Sequence, residues 1–336
     1  MKITFYDGHG NLSYNPNTEL SVGVGGAETV LIQTAKTLAK QGHEVNVYIN
    51  CSFPDIYDNV HYYKYFDYIP SNEDVLIGFE NFPTNYNAKK VINWVNRSSI
   101  EDVQRFPDVD KIIVMSQWHK DYFASLLNES LVSKMNIINP GVAEYFFDSK
   151  ITKQPFNITY SGHPGKGAMP SLIPIMERLK PKLPQAQIHI YGGGDLWGWD
   201  NEQYRPIYNK LIKMGLSYHG QLGKDEIKVR LNQAEIFLYP VGKHHKETFC
   251  LAVLEAMAAG CIVIASDNGN LKNLLQDKGF IIPGDINHYM WSMEVVNKII
   301  NLYNDSDLMK ELSNKSKEFA RQFTWEKTAE NLEKLL

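Results

Sequence analysis

ETFCLAVLEAMAAG, from Glu247 to Gly260, is the segment around which the rest of the chain is organised. From Leu251 to Ala259 every residue except Glu255 is apolar, so a helix here has no solvated face and must be buried on all sides. Glu255 is then a carboxylate inside a core. Because an unpaired buried charge is very unfavourable, a protein group or a ligand must hydrogen-bond this carboxylate.

The residues before this helix predict a phosphate site. We expect Thr248, Phe249 and Cys250 to form its first turn, whose free N–H groups and helix dipole favour an anion. Glu255 would lie roughly 10 Å further along the axis. A nucleotide sugar, with an anionic centre and hydroxyl groups on both sides, would fit. In the alternative interpretation, Glu247 is a solvated loop acid and Glu255 pairs with a basic residue from another helix.

The spacing of the two glutamates, followed by EAMAAG, resembles the signature of retaining glycosyltransferases of family 4. The resemblance implies an α/β protein of GT-B fold, with two Rossmann-like domains whose parallel sheets face an interdomain cleft. It implies that Glu247 is catalytic and holds hydroxyls of the transferred sugar, and that Glu255 accepts hydrogen bonds from the ribose. Thr248, Phe249 and Cys250 are implied to bind the donor around its diphosphate.

Composition excludes several classes of protein. A chain of 336 residues that is 43% hydrophobic is long enough for two domains. The net charge of −4 gives no basic footprint for nucleic acid. Three cysteines without a CxxC pair indicate reduced thiols in a cytoplasmic protein. No apolar run is long enough to span a membrane, which leaves peripheral membrane contact open.

Short β-rich runs alternate with longer amphipathic segments, a pattern that predicts parallel sheets with helical crossovers. The predicted strands of the first half are Lys2–Tyr6, Val45–Ile49, Val75–Phe79, Val91–Val95, Lys111–Val114 and Met135–Ile138. Those of the second half are Phe156–Tyr160, Gln187–Tyr191, Ile236–Tyr239, Ile262–Ser266 and Phe280–Ile282.

Turn residues and clustered aromatics between Asn139 and Pro155 predict a linker, so we place the domain boundary near residue 150. The predicted domains are 1–150 and 151–320, with a C-terminal helix in 321–336 for which Thr324 is the candidate N-cap. The resemblance implies that the first domain binds the acceptor, that the second binds the nucleotide-sugar donor, and that the last helix crosses back to the first domain.

The glycine-rich turn GVGGAE, residues 23–28, precedes a helix that should run to about Lys40. Closely spaced glycines let backbone approach a ligand; the alternative is a glycine-rich connection without any ligand. The glycines do not follow the first strand directly, which argues against a nicotinamide site. The resemblance implies that Gly25 and Gly26 line the cleft beside the donor phosphates and the acceptor.

Asn96 and Arg97 follow a predicted strand at its carboxyl end, where α/β sheets place ligands. Many members of the family carry a histidine where Asn96 stands. Asparagine can hydrogen-bond a sugar hydroxyl but cannot move a proton near neutral pH. The two residues are candidates for the acceptor side; alternatively, they only cap and solvate the strand end.

The loop SGHPGKG, residues 161–167, follows the first predicted strand of the second half. It is similar to the family loop whose arginine and lysine neutralise the donor diphosphate. Lys166 matches the lysine, while His163 lies near the position of the missing arginine, so diphosphate binding should be weaker or pH-dependent. Lys243 and Lys246 are candidates to compensate. A lone loop lysine that is merely solvated is the alternative.

Other motifs carry less information. The glycine turn 192–194 and the segment Tyr218–Gly220 resemble the parts of the family that approach the nucleotide and its base. His244 and His245 are neighbours and point apart on regular structure, so no metal site is expected. Trp197, Trp199 and Tyr204 form an aromatic cluster that favours packing over ligand stacking.

Together these features indicate a metal-independent retaining glycosyltransferase that needs no cofactor besides its nucleoside-diphosphate sugar. Its acceptor would be a carbohydrate or glycolipid hydroxyl, chosen by loops of the first domain within residues 51–70 and 80–87. Two alternatives are a non-catalytic nucleotide-sugar-binding subunit and a GT-B epimerase acting on the sugar nucleotide itself.

Overall fold

The computed structural model describes residues 1–8, 12–148, 150–194 and 202–336. The chain forms two compact units. Unit 1 consists of Met1–Leu20, Val24–Gly141 and Phe323–Leu336, and unit 2 of Ser21–Gly23 and Val142–Gln322. The division lies at Gly141 and Val142, before the predicted boundary near residue 150, because Phe146 and Phe147 are buried in unit 2.

The strands of the described residues are β1 (Lys2–Tyr6), β2 (Glu44–Ile49), β3 (Asp55–Tyr57), β4 (Val60–Lys64), β5 (Glu73–Phe79), β6 (Ala88–Trp94), β7 (Lys111–Val114), β8 (Met135–Ile137), β9 (Asn157–Ser161), β10 (Gln187–Tyr191), β11 (Ser217–Tyr218), β12 (Ile236–Tyr239), β13 (Ile262–Ser266) and β14 (Phe280–Ile282).

The helices are α1 (Pro16–Ser21), α2 (Gly26–Lys40), α3 (Glu101–Gln104), α4 (Gln117–Ala124), α5 (Glu129–Val132), α6 (Ala168–Leu179), α7 (Arg205–Lys213), α8 (Lys224–Gln233), α9 (Leu251–Ala258), α10 (Leu271–Leu275), α11 (Tyr289–Asn304), α12 (Ser306–Ala320) and α13 (Trp325–Glu333).

The sheet of unit 1 has the strand order β3-β4-β2-β1-β5-β6-β7-β8. All neighbours pair in parallel except β3 and β4, which form an antiparallel hairpin at one edge. The central strands are buried on both faces, as the fully buried successive residues Leu76 and Ile77, and Asn93 and Trp94, show.

The sheet of unit 2 is parallel throughout, in the order β11-β10-β9-β12-β13-β14. The carboxyl ends of β9, β12 and β13 therefore lie side by side at one edge. Ligands of open α/β sheets bind at this edge, so the loops that follow these three strands are the candidates for a ligand site.

The final helix, α13, packs within unit 1 against α2. Thr324 caps it by accepting a hydrogen bond from Lys327 N, as the sequence predicts. Trp325 and Leu332 are buried, and the hydroxyl of Thr328 donates to the carbonyl of Asn139 over 2.9 Å. These contacts make α13 part of the core of unit 1.

All eleven predicted strands are confirmed, with ends that differ by two residues or fewer except at Ala88, where β6 begins three residues early. The prediction that residues 51–70 are loops is wrong, since β3 and β4 lie there. Asp58 and Asn59 connect these strands with φ of 52° and 63°, the conformation of a tight hairpin turn. The short edge strand β11 is also absent from the predicted set.

In the part of the chain that the structure describes, no helix is both long and apolar enough to cross a membrane.

Candidate functional site

Lys166 and Glu247 form a buried ion pair at the carboxyl edge of the unit 2 sheet. Lys166 Nζ lies 2.7 Å from Glu247 Oε1 and 2.9 Å from the hydroxyl oxygen of Tyr239. The Tyr239 hydroxyl donates to the same carboxylate oxygen over 3.1 Å. Because Glu247 is only 5% exposed, its interpretation as a solvated loop acid is wrong.

Both members of this pair are charged at neutral pH. Burial disfavours the ionised Glu247, but the Lys166 ammonium, with hydrogen bonds from Lys166 and Tyr239, outweighs it and lowers the pKa. Burial likewise opposes the charge of Lys166, and the Glu247 carboxylate more than compensates, which raises the lysine pKa. The site is therefore a fixed cation beside a fixed anion.

The loop after β13 holds the backbone of Glu247. Glu247 N donates to Asn268 Oδ1 over 3.1 Å, and Glu247 O accepts from Asn270 N over 2.7 Å. Gly269 lies between them with φ of +56°, a conformation that favours glycine. A Cβ on Gly269 would lie 2.2 Å from Glu247 O, so the absence of a side chain there permits the contact.

The same asparagine binds the loop that precedes Glu247. Asn268 Nδ2 donates to the carbonyls of Gly242 and His245 over 2.9 and 2.7 Å. Gly242 N in turn donates to Lys166 O over 2.7 Å. The loops after β9, β12 and β13 thus form one hydrogen-bonded network around Lys166 and Glu247.

Helix α9 begins later than predicted. The expectation that Thr248, Phe249 and Cys250 form its first turn is wrong, because the helix starts at Leu251. Cys250 has φ of +80°, which is incompatible with a right-handed helix and ends the preceding loop as a left-handed N-cap. Thr248, Phe249 and Cys250 are nevertheless buried just before the helix, and burial raises the pKa of the Cys250 thiol.

Glu255 lies on α9 as predicted and is buried, but a protein partner already holds it. Lys224, the first residue of α8, forms an ion pair and hydrogen bond with Glu255 Oε1. The alternative that Glu255 pairs with a basic residue of another helix is therefore confirmed. Since α9 begins at Leu251, Glu255 lies only four residues, about 6 Å, from the helix start.

His163 does not replace the missing arginine as a cation. Its Nδ1 accepts a hydrogen bond from Gly165 N over 2.9 Å. Burial, reinforced by the nearby charge of Lys166, lowers its pKa to about 4. Lys243 and Lys246 are exposed, and Lys243 Nζ lies 3.9 Å from a carboxylate oxygen of Asp285.

The glycine turn of unit 1 begins a helix as predicted. Gly25 is the N-cap of α2, and its carbonyl accepts from Thr29 N over 3.0 Å. Gly26 is the first helical residue, and Glu28 lies in the first turn. Glu28 is half-buried, and this partial loss of water, with added repulsion from Asp7 and Glu80, raises its pKa to about 7.

Asn96 and Arg97 lie together in unit 1, immediately after β6. Their backbone N–H groups donate to Glu80 Oε1 over 2.7 and 2.8 Å. The Arg97 guanidinium also lies 2.5 Å from Glu80 Oε2 and 3.1 Å from Asp102 Oδ1. Glu80 itself has φ of +61°, an uncommon conformation for a side chain of this size. These contacts fix the strand end, as the capping interpretation predicts.

Several residues of the site are absent from the predicted set: Tyr239, Asn268, Gly269, Asn270 and Lys224. Tyr239 ends a strand that the sequence does predict, and Asn268 follows another such strand within two residues. Polar residues after the carboxyl ends of neighbouring parallel strands are the signal that could have found these two.

Only part of the predicted aromatic cluster of Trp197, Trp199 and Tyr204 lies within the described residues. Trp197 and Trp199 lie outside the described residues, while the ring of Tyr204 packs edge-on against His163 with centroids 6.2 Å apart. His244 and His245 take part in no metal-binding group: the described parts of the chain hold no cluster of three or more His, Cys, Asp or Glu side chains suited to a metal. Cys51, Cys250 and Cys261 are free thiols, as expected.

Sequence comparison finds two relatives of this chain. Sulfoquinovosyl transferase SQD2 of Arabidopsis thaliana is 23% identical over 222 residues, which cover 61% of this chain and 40% of the relative. An uncharacterised glycosyltransferase of Methanocaldococcus jannaschii is 28% identical over 139 residues, covering 40% of this chain and 38% of the relative. The matched segments thus span about two fifths of each relative.

Structure comparison shows the fold. Sucrose-phosphate synthase from Thermosynechococcus elongatus has a TM-score of 0.76 at 18% identity, covering 99% of this chain and 98% of that one. Anabaena HepE in complex with UDP-glucose has a TM-score of 0.72 at 14% identity, covering 100% and 99%. WaaG, a glycosyltransferase of lipopolysaccharide biosynthesis, has a TM-score of 0.71 at 15% identity, covering 99% of each chain. The predicted GT-B fold with two Rossmann-like units is confirmed.

The family model of the group 1 glycosyl transferases matches residues 142–319, just over half of the chain. This segment contains Lys166, Glu247 and Glu255, and it coincides almost entirely with unit 2. The chain belongs to the group 1 glycosyl transferases.

Proposed function

We propose that this protein is a retaining glycosyltransferase of family 4 that moves a sugar from a nucleoside-diphosphate sugar to an acceptor hydroxyl. The observation that carries the proposal is the buried pair of Lys166 and Glu247, 2.7 Å apart within the segment that the family model matches. A cation and a carboxylate side by side supply what the two ends of a phosphate–sugar bond require.

The pair can serve both ends of that bond without coming apart. A lysine ammonium has three N–H donors, and Lys166 uses two of them, on Glu247 and Tyr239. The third is available to a phosphate oxygen. Within the described residues, Glu247 Oε2 accepts no hydrogen bond, so it is available to a sugar hydroxyl.

Transfer requires stabilisation of the charge that develops on the departing nucleoside diphosphate. Lys166 keeps its proton because Glu247 raises its pKa, and it is held in place before any substrate arrives. Preorganised charge of this kind often contributes more to catalysis than any other effect. In this proposal Lys166, assisted by the N–H groups around the start of α9, acts without a metal ion.

Retention of configuration would follow from attack on the same face of the sugar. The departing phosphate accepts the proton of the acceptor hydroxyl as the new bond to the anomeric carbon forms and the bond to the phosphate oxygen breaks. No protein base is then needed, so Asn96 in place of a histidine is compatible with activity.

The proposed donor site in unit 2 consists of His163, Lys166, Glu247, Glu255 and residues 248–250. Gly25 and Gly26 of unit 1 would approach the donor phosphates, while Asn96 and Arg97 mark the acceptor side. A carbohydrate or glycolipid acceptor and a cytoplasmic location, with contact at a membrane periphery, belong to the same proposal.

The proposal is tested by incubating the protein with UDP-, GDP-, ADP- and dTDP-sugars in EDTA, with and without a panel of glycan and glycolipid acceptors. We expect slow release of one nucleoside diphosphate without acceptor and faster release with one, and NMR should show the donor's anomeric configuration in the product. Binding without any turnover would instead indicate a non-catalytic subunit. An isomerised sugar nucleotide formed without acceptor would indicate an epimerase.

Glu247→Gln tests the role of the carboxylate. Removing its charge should lower transfer by about a hundredfold or more, while binding of the bare nucleoside, which contacts neither member of the pair, changes little. Glutamine keeps the hydrogen bond from Lys166, whereas alanine would leave that lysine buried and unpaired. Glu226→Gln, on the exposed face of α8, is the control. Wild-type turnover in Glu247→Gln would refute the assigned role.

Lys166→Met tests the phosphate contact. Calorimetric titration should show a much larger loss of affinity for the cognate nucleoside diphosphate than for the bare nucleoside, because only the former carries the charge that Lys166 would bind. Lys213→Met, an exposed lysine in the last turn of α7, is the control. Equal losses for both ligands would contradict the contact.

A further inference from the structure

The second buried ion pair of unit 2 joins α8 to α9. Lys224 and Glu255 have side chains that are 11% and 8% exposed, so the pair is nearly buried but still open to solvent. Lys224 Nζ also lies 5.8 Å from the centroid of the Phe146 ring. The Lys224 ammonium and the Glu255 carboxylate therefore keep a fixed arrangement beside an aromatic surface.

Most of the hydrogen-bonding capacity of this pair is unused. Lys224 Nζ donates one hydrogen bond, to Glu255 Oε1, so two of its N–H donors remain. Glu255 Oε2 accepts none within the described residues. The pair thus offers donors and an acceptor at one place.

Stability alone is a poor explanation for such a pair. Taking two charges out of water costs about as much as their attraction returns, and apolar residues of similar volume are often equally stable or better. The cost is easier to understand if a ligand uses the open donors and the open oxygen. Since the pair has no net charge, a neutral polar group suits it better than a phosphate.

A vicinal diol has the matching chemistry. Each hydroxyl group can donate to a carboxylate oxygen and accept from an ammonium group at the same time. We propose that Lys224 joins Glu255 in binding the 2′- and 3′-hydroxyls of the donor's ribose and determines the preference for ribonucleotides. This inference rests on the proposed function. Lys224 would then be a binding residue, and more than a partner that neutralises Glu255.

The test compares calorimetric affinities for UDP, GDP and ADP with those for their 2′-deoxy counterparts. The wild type should prefer the ribo form of its cognate nucleotide by about tenfold, the effect of losing one hydrogen bond to a charged group. Lys224→Met should bring the ratio of the affinity for the ribonucleotide to that for the 2′-deoxynucleotide close to one. Because that variant leaves Glu255 buried and unpaired, the double variant Lys224→Met with Glu255→Gln serves as a second, uncharged version. Its reference is Glu255→Gln alone, so that the effect of Lys224 is separated from that of Glu255.

Lys228→Met is the matched control, since Lys228 lies one turn along α8, with Nζ 5.2 Å from the ring centroid of Tyr145. The ratio of ribo to 2′-deoxy affinity in Lys228→Met should equal that of the wild type. A ratio unchanged in both Lys224 variants would overturn the inference while leaving the proposed transferase intact. Preference for dTDP over all three ribonucleotides would likewise overturn the inference alone. Failure of the wild type to bind any of the four nucleoside diphosphates would instead overturn the proposed function, and with it this inference.

A nucleoside-only titration separates the ribose from the phosphates. Lys224→Met should weaken the binding of the nucleoside and of its diphosphate by the same factor, whereas Lys166→Met should weaken the binding of the diphosphate more. A larger loss for the diphosphate would place Lys224 on a phosphate and contradict the inference. A loss seen only with the intact sugar nucleotide would place it on the transferred sugar and would equally contradict it.

Discussion

Gly269 fixes the catalytic candidate Glu247 through its lack of a side chain. The carbonyl oxygen, amide nitrogen and carbonyl carbon of Glu247 lie 2.2, 2.7 and 2.8 Å from where a Cβ on Gly269 would be. All three are backbone atoms, which cannot rotate away as the end of a flexible side chain can. The position of the Glu247 carboxylate therefore depends on a neighbour more than twenty residues away in the sequence.

Gly269→Ala should accordingly displace the Glu247 main chain. We expect a loss of about 2–4 kcal/mol in the free energy of unfolding, from overpacking and from an alanine in the left-handed region. Displacement of the carboxylate by about 1 Å should lower turnover by about a hundredfold. Urea unfolding and donor turnover measure the two effects.

Gly215→Ala is the control for Gly269→Ala. Gly215 has φ of +89°, but a Cβ there would meet only the end of the Lys180 side chain, 3.9 Å away. This variant should therefore show only the backbone strain, about 1 kcal/mol, with normal turnover. Equal effects of the two substitutions would show that the close approach to Glu247 is unimportant.

Glu28 makes the stability of unit 1 depend on pH. Its folded pKa of about 7 lies above the 4.5 of an ordinary glutamate, mainly because of burial. A carboxyl group with a raised folded pKa favours the folded state only while it is protonated. Its contribution to stability is therefore unchanged below about pH 4.5, falls between pH 4.5 and 7, and remains low above that.

Glu28→Gln should remove this loss. Relative to the wild type, the variant should be more stable by about 1–3 kcal/mol at pH 8, with the difference vanishing near pH 4. Denaturant unfolding across this range measures the difference. Glu129→Gln, an exposed glutamate in the first turn of α5, is the control and should show no such trend. A constant difference between Glu28→Gln and wild type at all pH values would contradict the assignment.

At the residue scale, sequence motifs predict the ligand-facing half of the candidate site better than its supports. Glu247 and Lys166 belong to motifs whose residue types reflect the chemistry of a ligand. Asn268 and Lys224 contact the glutamates of these motifs from loops and helices distant in the sequence, and only the folded chain brings the groups together. Such tertiary partners carry no local pattern from which to predict them.

At the scale of elements, buried strands are predicted well because parallel strands covered on both faces read as continuous apolar runs. Lys111–Val114, Gln187–Tyr191, Ile236–Tyr239, Ile262–Ser266 and Phe280–Ile282 match the structure residue by residue. The start of α9 is predicted poorly, because the positive φ of Cys250 leaves no trace in an apolar sequence that continues without interruption.

The start of helix α13 packs closely against Gly141. A Cβ on Gly141 would lie 2.4 Å from Trp325 N and 2.5 Å from the carbonyl carbon of Thr324, at the first turn of the helix. Gly141→Ala should push the start of α13 away from the rest of unit 1 and lower the free energy of unfolding by about 1–3 kcal/mol.

Thermal unfolding by circular dichroism measures the effect of Gly141→Ala. Gly42→Ala is the comparison, because Gly42 also belongs to unit 1 but a Cβ there would meet nothing within 4 Å. With φ of +94°, it should show only the strain of an alanine in the left-handed region, about 1 kcal/mol. If Gly141→Ala unfolds at the wild-type temperature, α13 does not depend on this close contact.

For the whole molecule, two parallel sheets follow from a sequence pattern of alternating strands and helices that starts twice. The division between the units is harder to predict from composition. Residues 142–148 resemble a linker because of their turn residues, yet Asn232 Nδ2 donates to the carbonyl of the buried Phe146 over 3.1 Å within unit 2. A few buried aromatic side chains outweigh the local signals of a loop.

The return of the chain to unit 1 has a consequence for biosynthesis. Residues 323–336 emerge from the ribosome only after all of residues 142–322. Unit 2 can therefore reach its native state while the nascent unit 1 still exposes the apolar groove that Trp325 and Leu332 will fill. A chaperone that recognises exposed apolar surface would have its longest opportunity on the half of the protein that is made first.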